Sequence, residues 1–492
     1  MADSEDLCWL PAHKIAERVR SGAIRAGDVV DAVLRRCEAA EPRLHAYITI
    51  AADHARAAAA KIDALPPAKR RGALLGAPFS AKDNVLTATV RTTMASRLLE
   101  SFYPANDALA VRRLRGAGAL LLGKTNLPEF SMWARSGNLV APECRNPWDL
   151  RRTCGGSSGG SGAAVAAGLA PLSIGTDDGG SIRLPAALNG VVGLMPSPGV
   201  VPLDGVVIGG AVSAAGPIAR DVRDAALFLD AMAGGAAYTA TLEQGVADLR
   251  LAWIGEVAAT GINDPRVVGC ARDAALALRQ RGAVIDEPAA LLIDSMGAAP
   301  ASRLPDWPRY GGLRPWDLAE VRGAIADPGW ESLLSPNARA SGVSGAEQPP
   351  ADPAADRLRR RVVEQMDDLL TRWDVVLTPT IDQIAPLVPD AWIYPYAPPE
   401  AGAREAVRQY VKYTMRANLA GCCAISIPCG FVDDMPVGLQ AIGRRGAEAT
   451  VLRVARAIET IMPWAHLRPL RQTDADYSAR INVSSSRGVV GA

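Results

Sequence analysis

Two glycine- and serine-rich segments interrupt otherwise apolar sequence, and they constrain this chain more than any other feature. The first is Cys154-Gly155-Gly156-Ser157-Ser158-Gly159-Gly160-Ser161-Gly162, followed by the small-residue run Ala163 to Ala170. The second is Thr176-Asp177-Asp178-Gly179-Gly180-Ser181-Ile182-Arg183-Leu184-Pro185, preceded by Leu172-Ser173-Ile174. Glycine permits positive φ and close approach of backbone to a ligand. Apolar flanks of this kind argue against flexible linkers. A phosphate cradle would need Gly-Lys-Ser/Thr, which neither segment contains. Successive N–H groups at Asp178-Gly179-Gly180-Ser181 can converge on an anion as a nest or oxyanion hole. A serine nucleophile fits best, but it needs a base. The neighbours of Ser181 do not form a GxSxG elbow, which disfavours an α/β-hydrolase.

The base is not an obvious histidine. Only His13, His45, His54 and His466 exist, and none lies near either segment in sequence. Distance along the chain does not forbid a Ser-His-Asp arrangement, but nothing local supports one. Lysine is scarcer than expected: Lys14, Lys61, Lys69, Lys82, Lys124 and Lys412 are the six among 53 Lys and Arg residues. Arginine cannot deprotonate in a protein, whereas a buried lysine can become neutral and accept a proton. Lys82 follows Leu74-Leu75-Gly76-Ala77-Pro78-Phe79-Ser80, a run suited to a buried strand.

Composition narrows the partners. A net charge of +1 with no basic tail disfavours nucleic acid, which needs clustered cations. The opening Met1 to Asp6 is acidic and lacks the apolar run of a signal peptide, and stretches such as 162–175 are too short to span a membrane. The expectation is a cytoplasmic protein without a membrane partner. Eight cysteines (8, 37, 144, 154, 270, 422, 423 and 429) lack CxxC spacing, so no metal is expected and the thiols read as free. No cofactor is implied.

Length alone, 492 residues at about 150 per domain, suggests about three domains. The order of strands and helices suggests instead an α/β core. Residues 1–70 read as a helical segment packing on the core, with Gly22 and Gly27 punctuating two amphipathic helices. Residues 71–470 read as the catalytic domain. Strands are expected at 74–80, 119–122, 172–174, 375–379 and 424–428, and helices near 107–118, 163–170, 356–372 and 446–461. Between about 290 and 360, Pro, Gly and Trp become dense, as in a long irregular insertion. Residues 471–492 are Ser- and Gly-rich and read as a disordered tail. No solenoid repeat is present.

Taken together, these segments resemble the amidase signature family, a resemblance that implies one large α/β domain with a central mixed β-sheet covered on both faces by helices. The resemblance runs nearly the whole length and includes Gly123-Lys124-Thr125-Asn126, Asn146-Pro147-Trp148-Asp149 and Pro436-Val437-Gly438-Leu439-Gln440. The key serines, Ser157 and Ser181, stand 24 residues apart, as in that family. The resemblance implies Ser181 as nucleophile, Ser157 as bridging serine after a cis peptide bond, and Lys82 as base. It implies N–H groups of Asp178, Gly179 and Gly180, with that of Ser181, as an oxyanion hole, each donor contributing roughly 3 kcal/mol. For this chemistry burial must lower the lysine pKa. Asp177 and Arg183 are expected to pair and brace the loop, and Ser158 and Ser161 to serve as loop hydrogen bonds. The carboxylate of Asp178 could face substrate or solvent. Lys124 is the other candidate base, although a structural hydrogen bond suits it better.

Ser131, Met132 and Trp133 fall where relatives line the acyl pocket, with ordinary core packing as the alternative. Cys154, Cys422 and Cys423 read as small buried residues. Met195 stands where the family usually has Lys. The implied activity is hydrolysis of a small-molecule amide, with a homodimer as the associated quaternary state. A glutaminase subunit of a tRNA-dependent amidotransferase is a second reading, although Ser136-Gly137-Asn138 replaces the Thr-Glu-Asn-like sequence of such subunits. Acyl transfer or carbamate hydrolysis would use the same acyl-enzyme. A non-catalytic binder would not require Lys82, Ser157 and Ser181 together. The substrate is not readable, because specificity is expected in the variable region at about 290–400.

Overall fold

Parallel strands end where chemistry is expected to begin, so the sheet is the natural starting point. The computed structural model describes residues 4–208, 212–258, 260–295, 313–326, 328–340, 353–388 and 409–469. Its eleven strands are β1 (Tyr47–Ile50), β2 (Pro78–Lys82), β3 (Leu120–Thr125), β4 (Leu172–Asp177), β5 (Val192–Met195), β6 (Ala214–Ala219), β7 (Arg250–Trp253), β8 (Val284–Asp286), β9 (Val375–Pro379), β10 (Cys423–Val432) and β11 (Met435–Gly443). They form one mixed sheet in the order β1-β3-β2-β4-β6-β5-β10-β11-β9-β7-β8. β2 runs parallel to β3 and β4, and β7 parallel to β8 and β9; the other pairings are antiparallel. Helices flank this sheet, as the α/β reading expects.

β2, β3 and β4 are buried along their whole length, which explains why they read as continuous apolar runs rather than alternating ones. The helix Gly159–Ala166 is likewise buried at every position. Only small side chains allow a helix to sit that deep beside β4, β2 and β3. The first Gly/Ser segment is therefore loop only to Ser158, and its second half is helix. The second segment begins inside β4, whose last residue is Asp177. Lys82 is the last residue of β2, so the ends of two adjacent parallel strands bring these residues to one edge of the sheet. Ligand sites in open α/β sheets lie outside such carboxyl ends.

Three local expectations shift. The strand expected at 74–80 begins only at Pro78, because Leu74 to Ala77 form a turn with Gly76 at φ 76°. Gly27 does not end a helix but lies inside Ala26–Leu44, where the Asp63 carboxylate accepts from the N–H groups of Ala26 and Gly27 at 2.7 and 3.0 Å. The N-terminal segment is not purely helical: β1 pairs antiparallel with β3 and forms one edge of the sheet. The expected strands and helices further on are found at Val375–Pro379, Cys423–Val432, Pro353–Arg372 and Glu448–Ile461. Much of 290–400 and all of 471–492 lie outside the described residues, including Trp307, Tyr310, Trp392 and Tyr394.

Candidate active site

Lys82 Nζ lies 2.6 Å from Ser157 Oγ and 2.8 Å from Thr176 Oγ1. All three groups are buried. Thr176 Oγ1 also accepts from the Asn84 amide at 3.1 Å, a group that can only donate. The Thr176 carbonyl oxygen stands 3.5 Å from Lys82 Nζ as a further acceptor. A neutral lysine that donates its two hydrogens to these Thr176 oxygens keeps its lone pair for Ser157. Burial supplies the reason for neutrality: it lowers the Lys82 pKa from 10.5 to about 7, although the carboxylates of Asp178 and Asp177 oppose the shift.

The peptide bond from Gly156 to Ser157 is cis. The Ser158 N–H donates to the Ser181 carbonyl oxygen at 3.1 Å, which ties the two segments directly together. Ser181 is half-buried, whereas Ser157 is buried, so Ser181 is the serine that a ligand can reach. Ser158 Oγ donates to the Thr176 carbonyl oxygen at 3.1 Å and accepts from the Thr176 N–H at 3.2 Å. Ser161 Oγ meets Thr125 Oγ1 at 2.7 Å. Ser158 thus braces the loop, whereas Ser161, expected to do the same, sits in the helix and bonds to β3 and β4.

The Asp177–Arg183 pair forms, with both side chains fully buried and 3.0 Å between Nη2 and Oδ1. Burial would raise the Asp177 pKa, but Arg183, the Asn418 amide and the Ile182 N–H outweigh it and hold the carboxylate at about 2. The guanidinium also donates to the Thr414 carbonyl oxygen, to Gln440 Oε1 and to Asn418 Oδ1, at 2.8, 2.7 and 2.5 Å. Thr414 Oγ1 donates to the Gly179 carbonyl oxygen at 2.6 Å. Sequence reasoning missed these partners. The Pro436–Gln440 motif was a signal for Gln440; Thr414 and Asn418 left none.

One expectation is corrected. The Gly180 N–H does not face outward but donates to Asp177 Oδ1 at 2.6 Å, because the buried carboxylate needs that donor. Among the described residues, the N–H groups of Asp178, Gly179 and Ser181 have no acceptor. The Asp178 side chain turns to Ser213, whose hydroxyl donates to Oδ1. Burial raises the Asp178 pKa to about 6.

Lys124 is set apart from this cluster. β3 places it opposite Ala81 rather than Lys82, so the pleat directs the two lysines to opposite faces of the sheet. Lys124 Nζ meets the Asp83 carboxylate at 3.1 Å, Thr92 Oγ1 at 2.6 Å and the Val85 carbonyl oxygen at 2.7 Å. It clamps the segment that follows β2. No histidine ring joins the cluster: His13 is held by Asp224 and His54 by Arg115.

Phe130 and Ser131 both take left-handed backbone, at φ 52° and 63°, and Met132 is exposed. The backbone from Trp133 to Arg135 passes so close to Gly156 that no Cβ would fit there. On the other side, Met415 Cε would lie 2.5 Å from a Cβ at Gly179. Trp133 and Met415 pack against the same apolar cluster, which includes Tyr410 and Leu184.

The carboxyl ends of the parallel strands β2 and β4 thus carry Lys82 and the Ser181 loop, and the turn before the helix Gly159–Ala166 brings Ser157 to the lysine, an arrangement of a hydrolytic enzyme on a mixed α/β sheet. The chain belongs to the Amidase family, whose sequence profile matches residues 28–252 and 324–452. It is an amidohydrolase acting on amide C–N bonds. It is 36% identical over 480 residues to the A subunit of the glutamyl-tRNA(Gln) amidotransferase of Roseiflexus sp. (strain RS-1), covering 91% of this chain and 95% of that one. Among solved structures it resembles the peptide amidase of Stenotrophomonas maltophilia, at 29% identity and a TM-score of 0.74, covering 94% of this chain and 99% of that one. It also resembles the A subunit of the glutamyl-tRNA(Gln) amidotransferase of Thermotoga maritima, at 29% identity and a TM-score of 0.71, covering 94% and 96%. Among the described residues no helix is long and apolar enough to cross a membrane.

Proposed function

We propose that this chain hydrolyses a small carboxylic amide through an acyl-enzyme on Ser181, with Ser157 as proton relay and Lys82 as base. The observation that carries this reading is the 2.6 Å contact between Lys82 Nζ and Ser157 Oγ, together with a lysine pKa lowered to about 7 by burial. Ser181 Oγ attacks the carbonyl carbon while its proton passes through Ser157 to Lys82. The oxyanion is assigned to the N–H groups of Asp178, Gly179 and Ser181, since that of Gly180 is committed to Asp177. The relay then runs backward to protonate the leaving amine, and water releases the acid. Ser131, Met132 and Trp133 are taken as the substrate wall. No metal or cofactor enters these steps. Ser181→Ala is expected to lower kcat by at least about a thousandfold with the fold intact. Full activity in that variant would sink the reading.

A second reading, a glutaminase subunit that works with partner chains, is favoured by the names of the 34–36% identical relatives. Ser136 argues for the first: its hydroxyl donates to the Gly155 carbonyl oxygen at 3.0 Å, so this chain braces the bridging loop with a short neutral side chain. The purified chain, assayed alone with glutamine and with a panel of simple amides, separates the two. A cytoplasmic homodimer that binds neither nucleic acid nor membrane completes the proposal, and light scattering on the purified chain tests its quaternary part.

A further inference from the structure

Cys270, on the helix Pro265–Ala277, is the only one of the eight cysteines that is not buried. Its side chain reaches β10 at an irregular point. Pro428 pairs with Gly438 and Gly430 pairs with Val437, so Cys429 is the extra residue of a β-bulge. Gly430 follows at φ 146°, and a Cβ there would come within 2.5 Å of Cys270 Sγ. Bulge and glycine together open the space into which the Cys270 thiol fits. Cys270 Sγ donates to the Cys429 carbonyl oxygen at 3.6 Å, which brings the two cysteines side by side, and Cys429 Sγ donates to the Val437 carbonyl oxygen at 3.3 Å.

The groups around the two sulfurs divide their roles. The Cys429 thiol is the main influence lowering the Cys270 pKa below 9.0, the Phe431 N–H helps, and burial and Asp273 oppose. Burial pushes the Cys429 thiol well up. Cys270 is thus the partly exposed member of the pair, with its thiol pKa lowered, and Cys429 is its buried, protonated neighbour, the arrangement of an oxidisable thiol with a resolving partner. Cys154 Sγ likewise donates to the Cys144 carbonyl oxygen at 3.5 Å, but both cysteines are fully buried and burial holds Cys144 protonated.

We propose that Cys270 and Cys429 form a reversible oxidation site, in which a small peroxide converts the pair to a disulfide. The Cys270 thiolate attacks one peroxide oxygen: an S–O bond forms, the O–O bond breaks, and the departing hydroxide takes a proton to become water. The Cys429 sulfur then attacks Cys270 Sγ. An S–S bond forms, the S–O bond breaks, and hydroxide leaves with the Cys429 proton as a second water. The two sulfurs together lose two electrons and the peroxide gains them. The resulting bridge pins the helix Pro265–Ala277 to β10 across 159 positions of sequence.

The test exposes the full chain to a slight excess of hydrogen peroxide and maps its peptides without reduction. The expected result is an intact mass lower by two hydrogens, a Cys270–Cys429 cross-linked peptide, and reversal by dithiothreitol. A melting temperature higher by several degrees should accompany it. In Cys429→Ser, dimedone is expected to trap a sulfenic acid on Cys270; in Cys270→Ser, Cys429 should remain unlabelled. Recovery of the two cysteines unlinked, whether unmodified or as separate oxyacids, overturns the proposal, as does preferential linkage of Cys144 to Cys154. The wild-type map decides the matter even where a serine variant fails to fold.

Discussion

Arg183 Nη1 donates to Gln440 Oε1 at 2.7 Å, a bond that spans 257 positions and ties the loop of Ser181 to β11. The same guanidinium neutralises Asp177, whose carboxylate in turn holds the N–H groups of Gly180 and Ile182. Loop shape therefore depends on a charge pair that is wholly out of water. Removing one partner of such a pair costs about 3–5 kcal/mol, mostly through the charge left behind. Arg183→Met is expected to lose stability on that scale, measured by denaturant unfolding. Gln440→Ala, which removes one acceptor from Arg183 and the donor to Thr378 Oγ1 and the Tyr413 carbonyl oxygen but strands no charge, should cost about 1–3 kcal/mol. In whatever folds, kcat is expected to fall more than KM rises, because the loop is needed most when charge develops on the substrate oxygen.

The pH profile tests the base. Lys82 is depressed to about 7, so it is a cation below that pH and largely neutral above it. A reaction that needs the neutral amine should have kcat/KM rising about tenfold per pH unit below 7 and levelling off above it. Lys82→Ala should remove the limb along with nearly all turnover. An acid limb unchanged in position in Lys82→Ala would assign proton transfer to another group.

Burial dominates the position of that limb, and Asp178 opposes it. At about 6 its carboxyl is mostly ionised when Lys82 titrates, and its negative charge favours the ammonium form. Asp178→Asn removes this support, so the acid limb is expected to move to lower pH. The backbone N–H at position 178 survives the substitution, which keeps the oxyanion contacts available. A limb that moves to higher pH would contradict the charge argument.

Lys124 gives the complementary control. Lys124→Met leaves Asp83 buried without its cation and should destabilise the fold by about 3–5 kcal/mol. The soluble fraction should nevertheless keep its acid limb in place, because this side chain lies on the other face of the sheet. Thermal unfolding and a pH–rate profile on the same preparation read both effects.

Much of this was legible in the sequence because the chemistry is local. Lys82 stood out as a rare lysine after an apolar run, whereas Ser157 and Ser181 were separated from the other loop hydroxyls only by the 24-residue spacing of the amidase signature family. The buried strands β2 and β4 announced themselves as continuous apolar stretches. What escaped was non-local. Thr414 and Asn418 are ordinary polar residues in an ordinary helical stretch, and only folding brings them beneath the Asp177–Arg183 pair. β1 escaped because four residues carry little periodicity, and its edge position is defined by β3. The commitment of the Gly180 N–H could not be foreseen either, since sequence tells which amides are near an anion but not which anion wins them.

The bracing of residues 177–183 by Thr414, Asn418 and Gln440 also bears on the order of events during synthesis. Translation delivers Lys82, Ser157 and Ser181 long before the groups that shape the loop. A nascent chain halted before position 414 would hold all three of these residues yet lack the groups that brace Asp177 and Arg183. The shape of the Ser181 loop therefore rests on side chains and backbone that enter the chain 231 to 257 positions after Arg183.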